Sequence, residues 1–446
     1  MKKGTGLYIA LCVLLMVLLF LPLLQQAFHP FKLQKLHGAT EKVEPPQLSF
    51  SGYKDQSYQA QLERYVSANF GFHEPVIRLY NQYLWLYRKT YSQDVIVGKD
   101  KWLYGKRSVY DHYRQVPYWY ADSNEALEAM FEKDLDRLKK VQRLLEERGT
   151  KLFVMICPGK DIICPEHLPD NGNFVMSDGL RAIDWFPQAF ADNGIHCLNM
   201  NAWFEQIKDT VSYPLFPKTG MHWSNVACAQ AADTIIRYME WLTGKNMPNV
   251  KAGPVYGCEA VRPDDDLEKT MNLLWRIRPN ENYYSDVHVI PDTSAQRLRL
   301  ITIGDSFFWN IAYTLPMDSI FSGYPYWYYY STIYFDSEHT KVKQLDLVKE
   351  LERADIVMLL SCANTLYEIN RGFLSQALVK LSSTDPDIIE SIRDQIKQNM
   401  MNDSTWRQGL MEKAERKGKT LEQVMDEDAL WLIEQNPEKY LSGEEE

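Results

Sequence analysis

The chain has 446 residues, 45% apolar, 13% aromatic and 24% charged, enough for one large or two ordinary cores and far from the disordered class. Lys and Arg number 49 against 59 Asp and Glu, a net charge of −10. That balance argues against a nucleic-acid binder, whose affinity rests on clustered cations. Seven Cys with no C-x-x-C pair argue against a structural zinc site or a disulfide scaffold.

The first element is apolar. Gly6 to Leu24 carries no charge, and its run LYIALCVLLMVLLFLPLL, about 18 residues, approaches the length needed to cross a bilayer as a helix. Lys2 and Lys3 precede it, so the positive-inside bias keeps the N-terminus cytoplasmic and exports the remainder. The stretch ends LPLLQQAFHPF without a small-residue cleavage site, which favours an uncleaved anchor over a signal peptide. The six Cys beyond the anchor are expected to be mostly free and buried, since Cys157 lies in a strand-like run and Cys228 in a helical one.

Residues 25–57 hold Pro30, Pro45 and Pro46 with little periodicity and read as a linker. Tyr58 to Tyr91 is helical and strongly aromatic, broken near Gly71 and Pro75. VIVGKDKWLYG (95–105) reads as a hairpin. Ser123 or Asn124 caps a helix with Leu127, Met130, Phe131, Leu135, Leu138, Val141 and Leu145 on one face, ended by Gly149. KLFVMICP (151–158), RLRLITIG (297–304) and ADIVMLLS (354–361) are continuous apolar runs typical of strands buried on both faces, and HCLNM is a shorter strand. Each run is followed by a helical pattern, so a parallel sheet flanked by helices is predicted. From Asp385 onward only three short amphipathic helices follow, ending in a solvated GEEE.

ITIGDSFFWN (301–310) places Ser306 where a buried strand ends at Gly304 and a helix begins. That junction exposes a hydroxyl and aims free backbone N–H groups at whatever it attacks, although Gly-Asp-Ser is also an ordinary turn. A serine needs a base. His29 and His37 lie in the linker, while His73 and His339 have polar surroundings; His222, in FPKTGMHWSNVACAQAAD, precedes a small-residue-rich helix. Asn364, just past the last strand, can serve an oxyanion or a sugar hydroxyl, with a helix cap as the plainer role; Arg371 can hold a uronic carboxylate, with a surface ion pair as the default. Lys160 sits in the turn after another strand, and the aromatic run 323–335 offers rings for sugar stacking or simply alternates in burial. Asp264, Asp265 and Asp266 read as solvated loop charge, because consecutive acids point in different directions.

The Gly-Asp-Ser and His-Trp elements together resemble the SGNH-hydrolase-like domain of the alginate O-acetylation proteins, the AlgJ/AlgX type. FGFHEPVIRLYN (70–81), VGKDKWLYG (97–105), MICPGKDIICPEHLP (155–169) and DLEKTMNLL (266–274) resemble it in the same order, so the likeness covers roughly residues 60 to 365. It implies an α/β SGNH-hydrolase-like fold, with an anchor (1–24), linker (25–57), hydrolase-like domain (58–384) and helical appendage (385–446). It also implies a Ser-His-Asp triad with Ser306 as nucleophile and His222 as base, supported by Asp305 and Gly304. The family places the acid two residues before the histidine, where this chain has Gly220. Three outcomes stay open: another carboxylate reaches His222, with Asp305 nearest by motif; a backbone carbonyl orients the ring; or the site only binds. The resemblance implies an inner-membrane, single-pass protein with a periplasmic domain. It would transfer acetyl from a membrane-bound O-acyltransferase to hydroxyls of an exported polysaccharide, needing no metal or cofactor; an acetylesterase and a silent scaffold are the alternatives.

Overall fold

The computed structural model describes residues 3–38, 43–87, 94–115, 120–169, 174–261 and 263–441. Lys2, the end of the aromatic helical stretch (88–91) and the terminal GEEE lie outside the described residues.

Helix α1 (Lys3–Phe28) contains a span, Gly6–Phe28, long and apolar enough to cross a membrane; its most apolar stretch is exposed, and near its end Gln25 is buried. A membrane anchor and a secretion signal share this form. The linker contains one helical turn, Phe50–Lys54. The aromatic stretch forms α2 (Ser57–Ala68) and α3 (His73–Leu86), with the expected break at Gly71. Strands β1 (Val95–Val97) and β2 (Leu103–Gly105) pair antiparallel as a hairpin, followed by α4 (Lys106–His112).

The central sheet grows from the predicted apolar runs. After α5 (Asn124–Glu147), capped by the Ser123 side chain, come β3 (Lys151–Cys157), α6 (Ala182–Asp192), β4 (Cys197–Asn199) and α7 (Met200–Ile207). Helix α8 (Asn225–Thr243) leads into a region of two antiparallel pairs. One joins β5 (Asn249–Ala252) to β8 (Val287–Ile290); the other joins β6 (Tyr256–Glu259) to β7 (Glu281–Tyr284), with the short α9 (Asp266–Thr270) between them. The chain then returns to the sheet as β9 (Leu298–Gly304), followed by α10 (Phe308–Thr314) and three short strands. These are β10 (Phe321–Gly323), β11 (Tyr326–Tyr328) and β12 (Thr332–Tyr334). Helix α11 (Leu347–Glu352) and β13 (Ile356–Cys362) complete it.

The strand order is β12-β11-β9-β13-β3-β4, with β10 also on β9, and only the β11–β12 pairing is antiparallel. Period-two alternation sends Phe153, Met155, Met358 and Leu360 to the face covered by α7, α8 and α10. Leu152, Val154, Val357 and Ile303 go to the opposite face, under α5, α6 and α12 (Phe373–Ser382). Burial on both faces is why these strands are apolar throughout.

The tail forms α13 (Pro386–Asn402), α14 (Ser404–Lys417), α15 (Leu421–Gln435) and a fourth helix, the short α16 (Pro437–Leu441), beyond the three expected. Ile396, Met400, Leu410, Val424 and Ile433 give it a core of its own. The seven Cys are free; Cys157, Cys164, Cys228 and Cys362 are buried, Cys197 is half-buried, and Cys12 and Cys258 are exposed.

Candidate active site

Ser306 follows β9 directly. The turn is braced by Asp305, whose Oδ2 accepts from the Cys362 amide at 2.8 Å and the Thr365 hydroxyl at 2.7 Å, while its Oδ1 accepts from the Phe307 amide at 3.1 Å. The Asp305 carbonyl accepts from the Tyr326 hydroxyl, and the Gly304 carbonyl accepts from the Tyr329 amide at 2.9 Å. Asp305 is thus spent on holding the elbow between neighbouring strands and makes no bond to His222.

His222 stands in the loop before α8, whose first turn is capped by the Ser224 hydroxyl. Asn310 on α10 donates to the Trp223 carbonyl at 2.8 Å, and the Phe307 ring packs edgewise on the imidazole at 4.7 Å. These contacts bring His222 Nε2 to 2.8 Å from Ser306 Oγ, the separation a general base needs to take the hydroxyl proton.

The other ring nitrogen meets an acid. Asp266 Oδ2 lies 2.7 Å from His222 Nδ1, and Asp266 Oδ1 accepts from the Met221 and Leu267 amides at 2.8 and 2.7 Å. The reading of Asp264–Asp266 as solvated loop charge is therefore corrected. Each acid does point differently, but inward. Asp264 is buried and accepts from Asn282 at 2.6 Å; Asp265 is buried between Lys269 and Arg276, each at 2.8 Å; Asp266 faces the histidine. Sequence reasoning missed this acid, although Leu267 and Met271 at helical spacing beside it carried the signal of a packed turn. Both are buried.

Gly220 explains the relocation. A Cβ at that position would fall 2.5 Å from the Asp264 carbonyl oxygen and 2.8 Å from Pro217 Cγ, so no aspartate fits where the family pattern wants one. The space is taken by the very segment that delivers Asp266, and the Glu268 amide donates to the Thr219 carbonyl at 3.1 Å to hold the two together.

The same loop is gripped from below by Lys160, whose buried ammonium donates to the carbonyls of Leu103, Pro217 and Gly220 at 2.7 Å each and lies over the rings of Trp102 and Tyr104. Burial pulls its pKa down to about 7. For His222, burial disfavours the cation, but the Asp266 carboxylate, then Asp305 and Asp264, outweigh it and raise the pKa above the usual 6.5. Burial pushes Asp264 up to about 7.

Two other sequence-based roles need correction. Asn364 lines the cleft, but its amide donates to Asp111 at 3.0 Å and Asp161 at 2.9 Å, leaving only its oxygen toward Ser108; it has no N–H for an oxyanion. Two carboxylates at the nitrogen fix that orientation. Arg371 is neither a surface pair nor open to a substrate: its side chain is 5% exposed, bonds Asp305 at 3.3 Å and Glu368 at 3.4 Å, and packs on Tyr329. In the aromatic run, Tyr326 and Trp327 are buried, whereas Tyr329 reaches the cleft. That cleft, about 440 Å³, is lined by Ser306, Phe307, Tyr329, Lys106, Arg107 and Asn364 among others.

A strand-end serine, a histidine before a helix and a carboxylate on the second ring nitrogen form the array of a hydrolase-like acyl-transfer site. Residues 95–301 match the family model described as the SGNH hydrolase-like domain of acetyltransferase AlgX. This segment is an AlgX-type SGNH-hydrolase-like domain. The match includes His222 and Asp266 and ends just before Ser306. Among solved structures, the O-acetyltransferase domain of Pseudomonas putida AlgJ is similar at 16% identity and a TM-score of 0.40, over 64% of this chain and 98% of that one. Pseudomonas aeruginosa AlgX is similar at 13% and 0.34, over 60% of this chain and 54% of that one. Bacillus cereus PatB1, solved with a sulfonyl adduct, is similar at 12% and 0.39, over 62% and 97%. No curated protein matches the chain.

Proposed function

We propose that this AlgX-type domain is a membrane-anchored O-acetyltransferase that acetylates hydroxyls of an exported polysaccharide through a Ser306 ester. The carrying observation is the array at an open cleft in which His222 Nε2 lies 2.8 Å from Ser306 Oγ and its Nδ1 lies 2.7 Å from the Asp266 carboxylate. In the first half-reaction His222 Nε2 takes the Ser306 proton as Oγ attacks the acetyl carbonyl. The Ser306 N–H, which donates to no group among the described residues, is available to the developing oxyanion. The imidazolium, held against Asp266, then protonates the leaving oxygen. In the second half-reaction His222 takes the proton of a sugar hydroxyl, whose oxygen attacks the acetyl-serine; the new ester leaves and Ser306 recovers its proton.

Charge supports His222 as the base, since three acids favour its cation as it forms. The anchor supports placement beside a membrane-bound O-acyltransferase that supplies acetyl groups, with α1 in the inner membrane and the domain in the periplasm. Gly220 left room for a catalytically silent glycan-binding or scaffold module; the carboxylate of Asp266 beside His222 supports the catalytic reading over it. The test is to supply the full chain with an acetyl donor and an oligosaccharide and weigh the products. Acetylated sugar from the native chain and none from Ser306→Ala is expected. Acetate without acetylated sugar makes the chain an esterase, and equal product from Ser306→Ala refutes the serine mechanism.

A further inference from the structure

Helix α3 is built inside out. A helix on a water-soluble domain turns its apolar stripe inward. Here, beside a half-buried Trp85 packed on the small apolar cluster that includes Leu267 and Met271, the buried residues are polar: Arg78 donates to the Leu273 and Lys35 carbonyls, Asn81 donates to the Met271 carbonyl at 2.8 Å, and Gln82 accepts from the Trp275 amide at 3.0 Å. All three are buried. The outward stripe is Val76, Leu79, Tyr83, Leu86 and Tyr87, recurring at three and four, each more than half exposed and none charged. Trp275, on the loop that α3 grips, is 68% exposed beside it.

The position of α1 says what covers this stripe. A Cβ at Gly71 would lie 2.0 Å from the Pro22 carbonyl oxygen and 2.9 Å from the Gln26 amide nitrogen, so the α2–α3 turn rests directly on the α1 backbone. The Phe31 and Phe72 rings meet at 6.1 Å beside it. At ~1.5 Å per residue, Pro22 lies roughly 9 Å short of the end of the apolar span, and a hydrocarbon core of ~30 Å takes up about 20 residues of it. The first turn of α3 is therefore pinned at the level where α1 leaves the hydrocarbon. Tyr and Trp are the side chains that settle at this boundary.

We propose that the outward stripe of α3, with Trp275, lies in the headgroup and upper acyl layer of the bilayer that α1 crosses, fixing the domain against the membrane at a second point. This rests on the reading of α1 as an anchor. The full chain, carrying photoreactive p-benzoylphenylalanine at Leu79, Tyr83 or Leu86, is reconstituted into phosphatidylethanolamine–phosphatidylglycerol vesicles, illuminated and weighed. Leu15 in α1 and the exposed Trp431 in the tail serve as comparison sites. Phospholipid adducts at Leu15 and all three stripe positions, at least tenfold above Trp431, are expected. Adducts at Leu15 with the stripe at the Trp431 level overturn the second contact and leave the anchor standing. No adduct at Leu15 removes the anchor and this inference with it. Crosslinked dimers from the stripe, or crosslinks to a multi-span protein in place of lipid in native membranes, give the face to a protein partner and overturn the lipid assignment.

Discussion

Asp266→Asn keeps the size of the side chain and the two backbone amides that its Oδ1 holds, and changes only what faces His222. The new amide presents N–H to Nδ1, which drives the ring to the tautomer with its proton on Nε2, where it cannot receive one from Ser306. It also removes the charge that stabilises the imidazolium. At 2.7 Å and an effective dielectric of about 20, a full charge pair is worth about 6 kcal/mol. Asp266 is a quarter exposed, so the usable part is smaller. A loss of about 10³ to 10⁴ in kcat/KM is expected, close to the effect of the same change in serine proteases. The assay is release of nitrophenol from nitrophenyl acetate by the full chain in detergent, with a thermal melt to show that the fold survives. Activity within tenfold of native would refute the assignment of Asp266. Recovery in an Asp266→Asn, Gly220→Asp double variant would instead refute the steric account of Gly220, because a side chain at 220 meets the Asp264 backbone.

The rate should rise with pH through an inflection above 6.5, since the base works only when neutral and its pKa is raised; an inflection at or below 6.5 contradicts the ion pair. Because the folded pKa is the higher one, the stability drawn from the imidazolium is complete below about pH 6.5 and lost as pH climbs through the folded value. The gap in Tm between the native chain and Asp266→Asn should accordingly be wider at pH 5.5 than at pH 9. Lys160→Met strands the Leu103, Pro217 and Gly220 carbonyls and should destabilise the chain by about 2–4 kcal/mol, read by denaturant unfolding, with kcat falling as the His222 loop loosens. Arg371→Ala should lower kcat with KM unchanged, because the guanidinium braces Asp305; a rise in KM alone would return it to substrate binding.

The strands at 151–157, 298–304 and 356–362 were legible because burial on both faces leaves an uninterrupted apolar run. Ser306 and His222 were legible because each sits at a junction between elements that the local pattern marks. Asp266 was not: three adjacent acids look solvated, and their separate partners, Asn282, Arg276 and His222, come from elsewhere in the chain. Arg371 and Asn364 were misjudged for the same reason, since burial among distant carboxylates leaves no local trace. The aromatic character of 58–91 was plain, yet periodicity alone does not say which side of α3 faces in.

The loop after Asp266 is shored up by the N-terminal part of the chain. Arg78, Asn81 and Gln82 of α3 hold the 271–275 backbone, and Asn272 exchanges two hydrogen bonds with the His37 backbone in the linker. A trimmed version starting at the β1–β2 hairpin would retain Ser306 and His222 while cutting away the buttress beneath Asp266. Sluggish turnover by such a fragment would report on missing scaffolding, and tests of the proposed activity belong with the N-terminal ninety or so residues in place.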